Sequence, residues 1–206
     1  GRIDQCDQCG AFVFRYKSCR DRHCNQCQKF ERAKWVEQQK GMQLPIPYFH
    51  IVFTTDHALN ALFGQNKRAM YDLLFQTASE VLQAKAKADL GCELGITAVL
   101  HTWGQQIEAH YHLHCIVTGG GLRLDGQKWV KPKSNHYLLN VVELSAAYRD
   151  KLLSGIERLV KRQEVILADE AAETALSGLL AELRTKKWEV FIKPFAGPEA
   201  GTEYLR

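Results

Sequence analysis

The chain has 206 residues, of which 46% are hydrophobic and 24% are charged, and its formal net charge is +4. These proportions exclude disordered, collagen-like and coiled-coil proteins and favour a soluble chain with one main core and a small appendage. The sequence has no apolar run of about 18 residues and no secretory signal, so we expect neither membrane binding nor export. It begins at Gly1 without an initiator Met, and we expect it to be a piece of a longer protein.

The excess positive charge lies at the N-terminus. Residues 1–42 contain nine of the 27 Lys and Arg residues and five of the 23 Asp and Glu residues, so this segment has a net charge of +4 and the remainder is neutral. A compact basic segment favours a polyanionic partner, although solvated surfaces also carry a few surplus charges.

Five of the seven cysteines lie in the first 27 residues. Four of them form two Cys-x2-Cys pairs separated by fourteen residues, namely Cys6 with Cys9 and Cys24 with Cys27. This spacing is typical of paired zinc knuckles, in which two tight turns present four thiolates to one Zn²⁺. The segment has too few bulky apolar residues to fold alone, so the metal would act as its core. Cys19 and His23 could replace one ligand or bind a second ion, and reduced free thiols are the alternative to a zinc site.

Hydrophobic periodicity predicts helices and strands in alternation along the chain. Helices are expected over residues 28–40, 59–82, 144–165 and 170–183. Strands are expected over residues 48–55, 95–102, 109–118, 122–124, 128–130 and 188–193. A break is expected at the three glycines 119–121, and Asp125-Gly126 favours a hairpin turn between the two short strands.

The order of these elements predicts an α+β fold. The connection 103–108 is short enough for the strands on either side to be antiparallel neighbours. We therefore expect an antiparallel sheet with covering helices, preceded by a small zinc-binding module. The proline-flanked stretch 44–47 separates a predicted domain at 1–43 from a second at 44–206.

Three histidines alternate along one predicted strand. His110, His112 and His114 would project to one side of it, because successive side chains of a strand point to opposite faces. Three unpaired imidazoles on one surface favour a bound metal ion, and a hydrogen-bonded stripe of histidines is the alternative. Two imidazoles and one further ligand leave open positions on a divalent ion, which is typical of a catalytic site.

The third ligand cannot be chosen by spacing. Glu108 and Gln105 in the preceding connection are candidates, and so is His110 itself. His101 on the neighbouring strand could instead orient a ligand through a hydrogen bond.

The His112-Leu113-His114 pair on a strand resembles the signature of the HUH endonucleases, which cut single-stranded DNA. Combined with the N-terminal cysteine pairs, the segment 16–27, the segment 100–104 and the segment 119–122, it resembles the rolling-circle, two-tyrosine insertion-sequence transposases that carry an N-terminal zinc-binding domain. The resemblance spans nearly the whole chain in the expected order, and it makes 44–206 an HUH-type nuclease domain that is truncated at its C-terminus.

The resemblance implies an enzyme of DNA transposition and recombination. In this family Mg²⁺ or Mn²⁺ on the His pair assists the attack of a Tyr hydroxyl on a DNA phosphodiester, which leaves a 5′-phosphotyrosine for strand transfer. Tyr204 falls on the first nucleophile position, because 203–206 matches the start of the family's Tyr-Leu-x-x-x-Tyr stretch. Arg206 departs from that stretch, where a small residue is usual, and a second Tyr would lie at or beyond Arg206.

The expected partner is DNA, preferentially the single-stranded ends of a transposon, at the nucleoid in the bacterial cytoplasm. Trp103 and Trp129 could stack on unpaired bases, and Lys128 and Lys131 could follow the backbone. The first alternative is a non-catalytic, zinc-dependent nucleic-acid-binding module. The second is a metal-dependent hydrolase that uses water as its nucleophile.

Overall fold

A computed structural model describes residues 2–15, 17, 19, 24–104 and 108–195. The chain divides into two compact units, with the boundary between Leu44 and Pro45. Within the described ranges, no helix combines the length and the apolarity that crossing a bilayer requires.

The first unit contains a β-hairpin and one helix. The hairpin pairs β1 (Arg2–Gln5) with β2 (Phe12–Arg15) in antiparallel register, and α1 spans Asn25–Gly41. The bulky side chains of the hairpin are exposed, with Phe12 at 61% and Phe14 at 62%. Burial of these rings therefore does not hold the hairpin together, which agrees with the expectation that metal binding stabilises this segment.

The second unit is built on a five-stranded antiparallel sheet. Its strands are β3 (Tyr48–Thr54), β4 (Cys92–Trp103), β5 (Ala109–Arg123), β6 (Trp129–Val130) and β7 (Val190–Pro194). The main order is β4-β5-β3-β7, and the short β6 pairs with the C-terminal end of β5. Because β5 is flanked by β4 and β3, its side chains have neighbours on both sides. The predicted antiparallel pairing of the second and third strands is confirmed.

Helices cover one face of this sheet. They are a short 3-10 helix (His57–Leu59), α2 (Asn60–Gln65), α3 (Lys67–Asp89), α4 (Val141–Lys161) and α5 (Glu170–Thr185). The core forms between these helices and alternate residues of β3 and β5, as where Phe53 of β3 contacts Tyr148 of α4 at a ring-centroid distance of 4.8 Å. The α+β fold with an antiparallel sheet and covering helices is therefore confirmed.

The single helix predicted over 59–82 is interrupted at Asn66. The backbone of Asn66 leaves the helical region at φ −120° and ψ 44°. Its buried side chain donates hydrogen bonds to the carbonyls of Leu62 (3.2 Å) and Ile166 (3.1 Å) and accepts one from the Ile166 amide (2.6 Å). The interruption thus depends on a loop that lies 100 residues away in the sequence.

The break predicted at the three glycines is wrong, because β5 continues through them to Arg123. Gly120 has a φ of +99°, and a Cβ there would overlap the Val130 carbonyl oxygen of β6. Glycine allows both this backbone conformation and the close approach of the neighbouring strand.

Candidate metal centre

The alternation predicted for β5 is confirmed. Tyr111 and Leu113 point into the core and are 7% and 0% exposed. His110, His112 and His114 lie on the opposite face, with ring centroids 4.8 Å apart for the first two and 4.9 Å apart for the last two. One side of the central strand thus carries a continuous row of imidazoles.

The register of the sheet adds a fourth imidazole to this row. His101 of β4 is paired directly with His112 of β5, so both side chains lie on the same face. The His101 ring centroid lies 5.2 Å from that of His112 and 4.3 Å from that of His114. Three histidines from two strands therefore converge on one point.

His101, His112 and His114 form a group that could hold one metal ion. Each offers one ring nitrogen, and these nitrogens all lie within 4.8 Å of one another. His101 and His112 are partly exposed whereas His114 is 7% exposed, so the group is reached from the open face of the sheet. Three neutral nitrogen donors suit a divalent transition-metal ion and leave positions for other ligands.

Two of these rings form a hydrogen bond through Nδ1. His112 Nδ1 lies 3.0 Å from the backbone carbonyl oxygen of His110, so Nδ1 carries the proton and donates it there. His114 Nδ1 lies 2.8 Å from Nε2 of His50. In His112, Nε2 is therefore the nitrogen with a lone pair for a metal ion, as is usual for metal-binding histidines with an outer hydrogen-bond partner. In the His50–His114 pair either nitrogen can carry the shared proton, and His114 offers Nε2 in the tautomer in which its Nδ1 donates to His50.

Burial keeps these rings neutral. It lowers the pKa of His114 to about 3, and the nearby His101, His112 and His50 act in the same direction. Burial likewise lowers the pKa of His101, and it lowers that of His112 against an opposing hydrogen bond to the His110 carbonyl. A metal ion needs the neutral ring, because only an unprotonated nitrogen has a lone pair to share.

The other predicted ligands of this site lie outside the close group. The His110 ring lies beside His57, at a centroid distance of 4.8 Å, as well as beside His112. The Glu108 side chain lies against Gly104, and Gln105 is outside the described residues. The geometry therefore favours His101 over Glu108 and His110 as the third ligand, and the ligand set stays a prediction.

The first unit contains a second group of possible metal ligands. The sulfur atoms of Cys19, Cys24 and Cys27 all lie within 4.8 Å of one another, and those of Cys19 and Cys27 are 3.4 Å apart. The Cys27 amide donates to Cys24 Sγ at 3.5 Å, which is the hydrogen bond expected of a knuckle turn. This group includes Cys19, which the sequence analysis considered only as a substitute for one of the four predicted zinc ligands. His23 lies outside the described residues.

Cys6 and Cys9 form a turn of their own. The Gly10 amide donates to the Cys6 carbonyl at 2.9 Å, and the Cys6 amide donates to the Ala11 carbonyl at 2.8 Å. The pKa of the Cys6 thiol is lowered by hydrogen bonds from the backbone amides of Cys9 and then Gln8. A thiol in this environment is easily converted to the thiolate that binds zinc.

The predicted DNA contacts occupy two places. Trp103 is 50% exposed, and its ring is parallel to that of His101 at a centroid distance of 6.5 Å. Trp129 is half-buried on β6, with exposed Lys128 and Lys131 beside it. Because β6 pairs with β5 near residues 121 and 122, this hairpin lies roughly 30 Å along the strand from His112. Tyr204 lies outside the described residues.

Sequence reasoning missed two histidines at this face. His50 of β3 is 7% exposed and contacts His114, and His57 contacts His110. A signal for His50 was present, because it alternates with the core residues Phe49 and Ile51. The pairing of β3 with β5, which brings His50 to His114, could not be read from that alternation.

Comparison with known proteins assigns the family. Residues 95–206 match the family model described as "Putative transposase". The chain belongs to this putative transposase family. Residues 1–55 match the family model of the transposase zinc-binding domain, so the N-terminal region of this chain is a zinc-binding domain of that family. The predicted family, a transposase with an N-terminal zinc-binding domain, is confirmed.

Two curated relatives are transposases. The chain is 42% identical over 213 residues to putative transposase y4qJ of Sinorhizobium fredii, an alignment that covers 100% of this chain and 53% of that protein. It is 37% identical over 109 residues to the transposase for insertion sequence element IS801 of Pseudomonas savastanoi pv. phaseolicola, which covers 53% of this chain and 26% of that protein. The chain thus spans about half the length of the first of these relatives.

Solved structures of the conjugative relaxase TrwC in complex with oriT DNA are also similar to this chain. A metal-bound TrwC structure aligns with a TM-score of 0.40 and 16% identity, covering 55% of this chain and 44% of that chain. A copper-bound structure aligns with a TM-score of 0.39 and 14% identity, covering 75% of this chain and 67% of that chain.

Proposed function

We propose that this chain is the part of a rolling-circle transposase that cuts single-stranded DNA and transfers the cut strand. One observation carries the proposal: His101, His112 and His114 converge on the open face of the sheet with their ring nitrogens within 4.8 Å of one another. A partly exposed group of neutral imidazoles suits a metal site that a phosphodiester can reach. The match to the transposase family over the same residues supports this assignment.

In this proposal His112 and His114 hold the ion through Nε2, and His101 is the third ligand. The bound ion, Mn²⁺ or Mg²⁺, would polarise the scissile phosphate and neutralise its developing charge. Of the two, three nitrogen donors suit Mn²⁺ better, because Mg²⁺ strongly prefers oxygen ligands.

Tyr204 is the proposed nucleophile, on the resemblance of 203–206 to the family's tyrosine motif. Its phenolic oxygen attacks phosphorus, the bond from phosphorus to the 3′ oxygen breaks, and the phenolic proton is balanced by protonation of the released 3′ oxygen. The products are a 5′-phosphotyrosine and a free 3′-OH. The covalent bond conserves the energy of the phosphodiester for joining the strand to a new end.

The proposed DNA path passes the exposed face of Trp103, which lies beside His101 and offers a surface on which an unpaired base can stack. Lys128, Trp129 and Lys131 are proposed to contact the strand at a distance from the metal centre. The zinc-binding domain contributes its positive charge to the same polyanionic partner. We propose that this activity takes place in the bacterial cytoplasm, at the nucleoid.

The direct test is the formation of a covalent protein–DNA adduct. The chain is incubated with labelled single-stranded oligonucleotides and Mn²⁺, and SDS-resistant label is measured on denaturing gels. We expect His112→Ala and His114→Ala to abolish the adduct and Tyr204→Phe to reduce it. His136→Ala, at an exposed histidine in the loop before α4, is the matched control and should leave the adduct unchanged.

An adduct that persists in the His112→Ala/His114→Ala double variant would contradict the mechanism. Repeated strand cleavage without an adduct would favour a hydrolase that uses water. Tight retention of zinc at both metal sites, with DNA binding but no cleavage, would favour the non-catalytic binding module.

A further inference from the structure

We propose that His50 is a positioning residue that orients His114 for metal binding. The inference rests on the proposed function, because it concerns the same metal centre. His50 Nε2 lies 2.8 Å from His114 Nδ1, and both rings are 7% exposed. The two rings are nearly parallel, with an interplanar angle of 8° and centroids 5.1 Å apart.

The direction of this hydrogen bond follows from the proposed binding of the metal through Nε2 of His114. A neutral imidazole has one N–H and one lone pair, so His114 can offer Nε2 to a metal only when Nδ1 carries the proton. Nδ1–H then needs an acceptor, and His50 Nε2 is positioned to accept. His50 therefore selects the tautomer of His114 and holds the ring in the plane that directs Nε2 toward His101 and His112.

His50 is itself held in place by the sheet and by aromatic side chains. The Phe195 ring stacks on it at a centroid distance of 5.6 Å, and the Phe191 ring meets it edge-on at 6.1 Å. In the β3–β7 register His50 is paired with Lys193. A ring enclosed in this way loses little further freedom when its partner binds a metal, which increases affinity through pre-organisation.

The tautomer of the neighbouring proposed ligand, His112, is selected by a backbone group instead of a side chain. His112 Nδ1 faces a main-chain carbonyl, that of His110, at 3.0 Å. No side-chain substitution removes this acceptor directly. At His114 the acceptor is a side chain from another strand, so its contribution can be measured by mutation.

Two substitutions at His50 separate the hydrogen bond from the packing. His50→Phe keeps an aromatic ring between Phe191 and Phe195 and removes the acceptor. His50→Gln loses the ring, but its Oε1 can reach the position of Nε2 and accept from His114. His136→Phe, at an exposed histidine outside the cluster, serves as the matched control.

The first measurement is Mn²⁺ affinity of the zinc-loaded chain by isothermal titration calorimetry. We expect the dissociation constant to rise about 10- to 100-fold in His50→Phe, as is typical when an outer hydrogen-bond partner of a metal ligand is lost. His50→Gln should stay within a few-fold of the wild type. The control variant should bind as the wild type does.

The second measurement reports the tautomer directly. Side-chain ¹⁵N NMR of the chain with ¹⁵N-labelled histidine, without added Mn²⁺, should show His114 protonated at Nδ1 in the wild type and in His50→Gln. In His50→Phe this preference should be lost. A purely structural role for His50 would not produce this change.

The inference is overturned if His50→Phe binds Mn²⁺ as tightly as the wild type, or if His114 keeps the Nδ1–H tautomer in that variant. If His50→Phe fails to fold, the His50→Gln variant provides the test. The inference is overturned if this variant binds Mn²⁺ with wild-type affinity while His114 is protonated at Nε2. Failure of the proposed function differs, because the wild type would then not bind Mn²⁺ or His112→Ala would not weaken binding.

Discussion

Replacing Gly155 tests how closely α3 and α4 pack behind the sheet. A Cβ at this position would overlap Cδ1 of Leu73 and would lie 3.1 Å from its Cδ2 and 3.2 Å from its Cγ. Leu73 is 6% exposed, so its side chain is confined by the core. Overpacking costs about 1–3 kcal/mol, whereas alanine in place of a helical glycine gains about 1 kcal/mol. We expect Gly155→Ala to lower the free energy of unfolding by up to about 2 kcal/mol.

Two comparisons separate crowding from helix propensity. Gly178 of α5 is exposed, and a Cβ added there would have no atom within 4 Å, so Gly178→Ala should raise the free energy of unfolding by about 1 kcal/mol. In a Leu73→Ala background the space is open, and Gly155→Ala should become stabilising. Urea unfolding at constant zinc, followed by tryptophan fluorescence, measures all these differences. If Gly155→Ala stabilises the otherwise unaltered chain as much as Gly178→Ala does, the helices are not packed as described.

Acid should destabilise the second unit in the absence of divalent ions. The pKa of His114 is about 3 in the folded chain, and on unfolding it returns to the ordinary histidine value of 6.5. The contribution of the neutral ring to the free energy of unfolding is complete above pH 6.5, and its loss reaches about 2 kcal/mol at pH 5. In urea titrations the free energy of unfolding of His114→Phe should depend less steeply on pH than that of the wild type, and equal slopes would refute this. Cys19→Ser should reduce the thiolate-to-metal absorption of the Co²⁺-substituted chain, whereas an unchanged spectrum would remove Cys19 from the ligand set. Asn66→Ala should lower the free energy of unfolding by about 2 kcal/mol through the loss of its buried hydrogen bonds, and an unchanged urea midpoint would argue against that role.

The row of histidines on β5 could be predicted because it depends only on local geometry. Alternation along an extended chain places His112 and His114 on one face whatever the rest of the fold does. The position of His101 beside this row could not be predicted in the same way. Its position opposite His112 depends on the register of β4 with β5, which changes between His101 and Trp103.

Long-range contacts also explain where the predicted elements differ from the observed ones. The apolar period resumes in phase at Met70, seven residues after Phe63, so it predicts one helix. The break at Asn66 involves hydrogen bonds to Ile166, which no local pattern contains. Three consecutive glycines usually weaken a strand. In β5 they remain within it because Gly120 lies against β6, and that contact depends on the fold of the following hairpin.

Metal titration of the second unit's histidines tests the central claim most directly. The zinc-loaded chain is titrated with Mn²⁺, and bound and free ion are separated by electron paramagnetic resonance. We predict one exchangeable Mn²⁺ site in the wild type, weakened at least about 10-fold by His101→Ala and by His112→Ala and unchanged in His136→Ala. Equal Mn²⁺ binding by the wild type and both cluster variants would contradict the account.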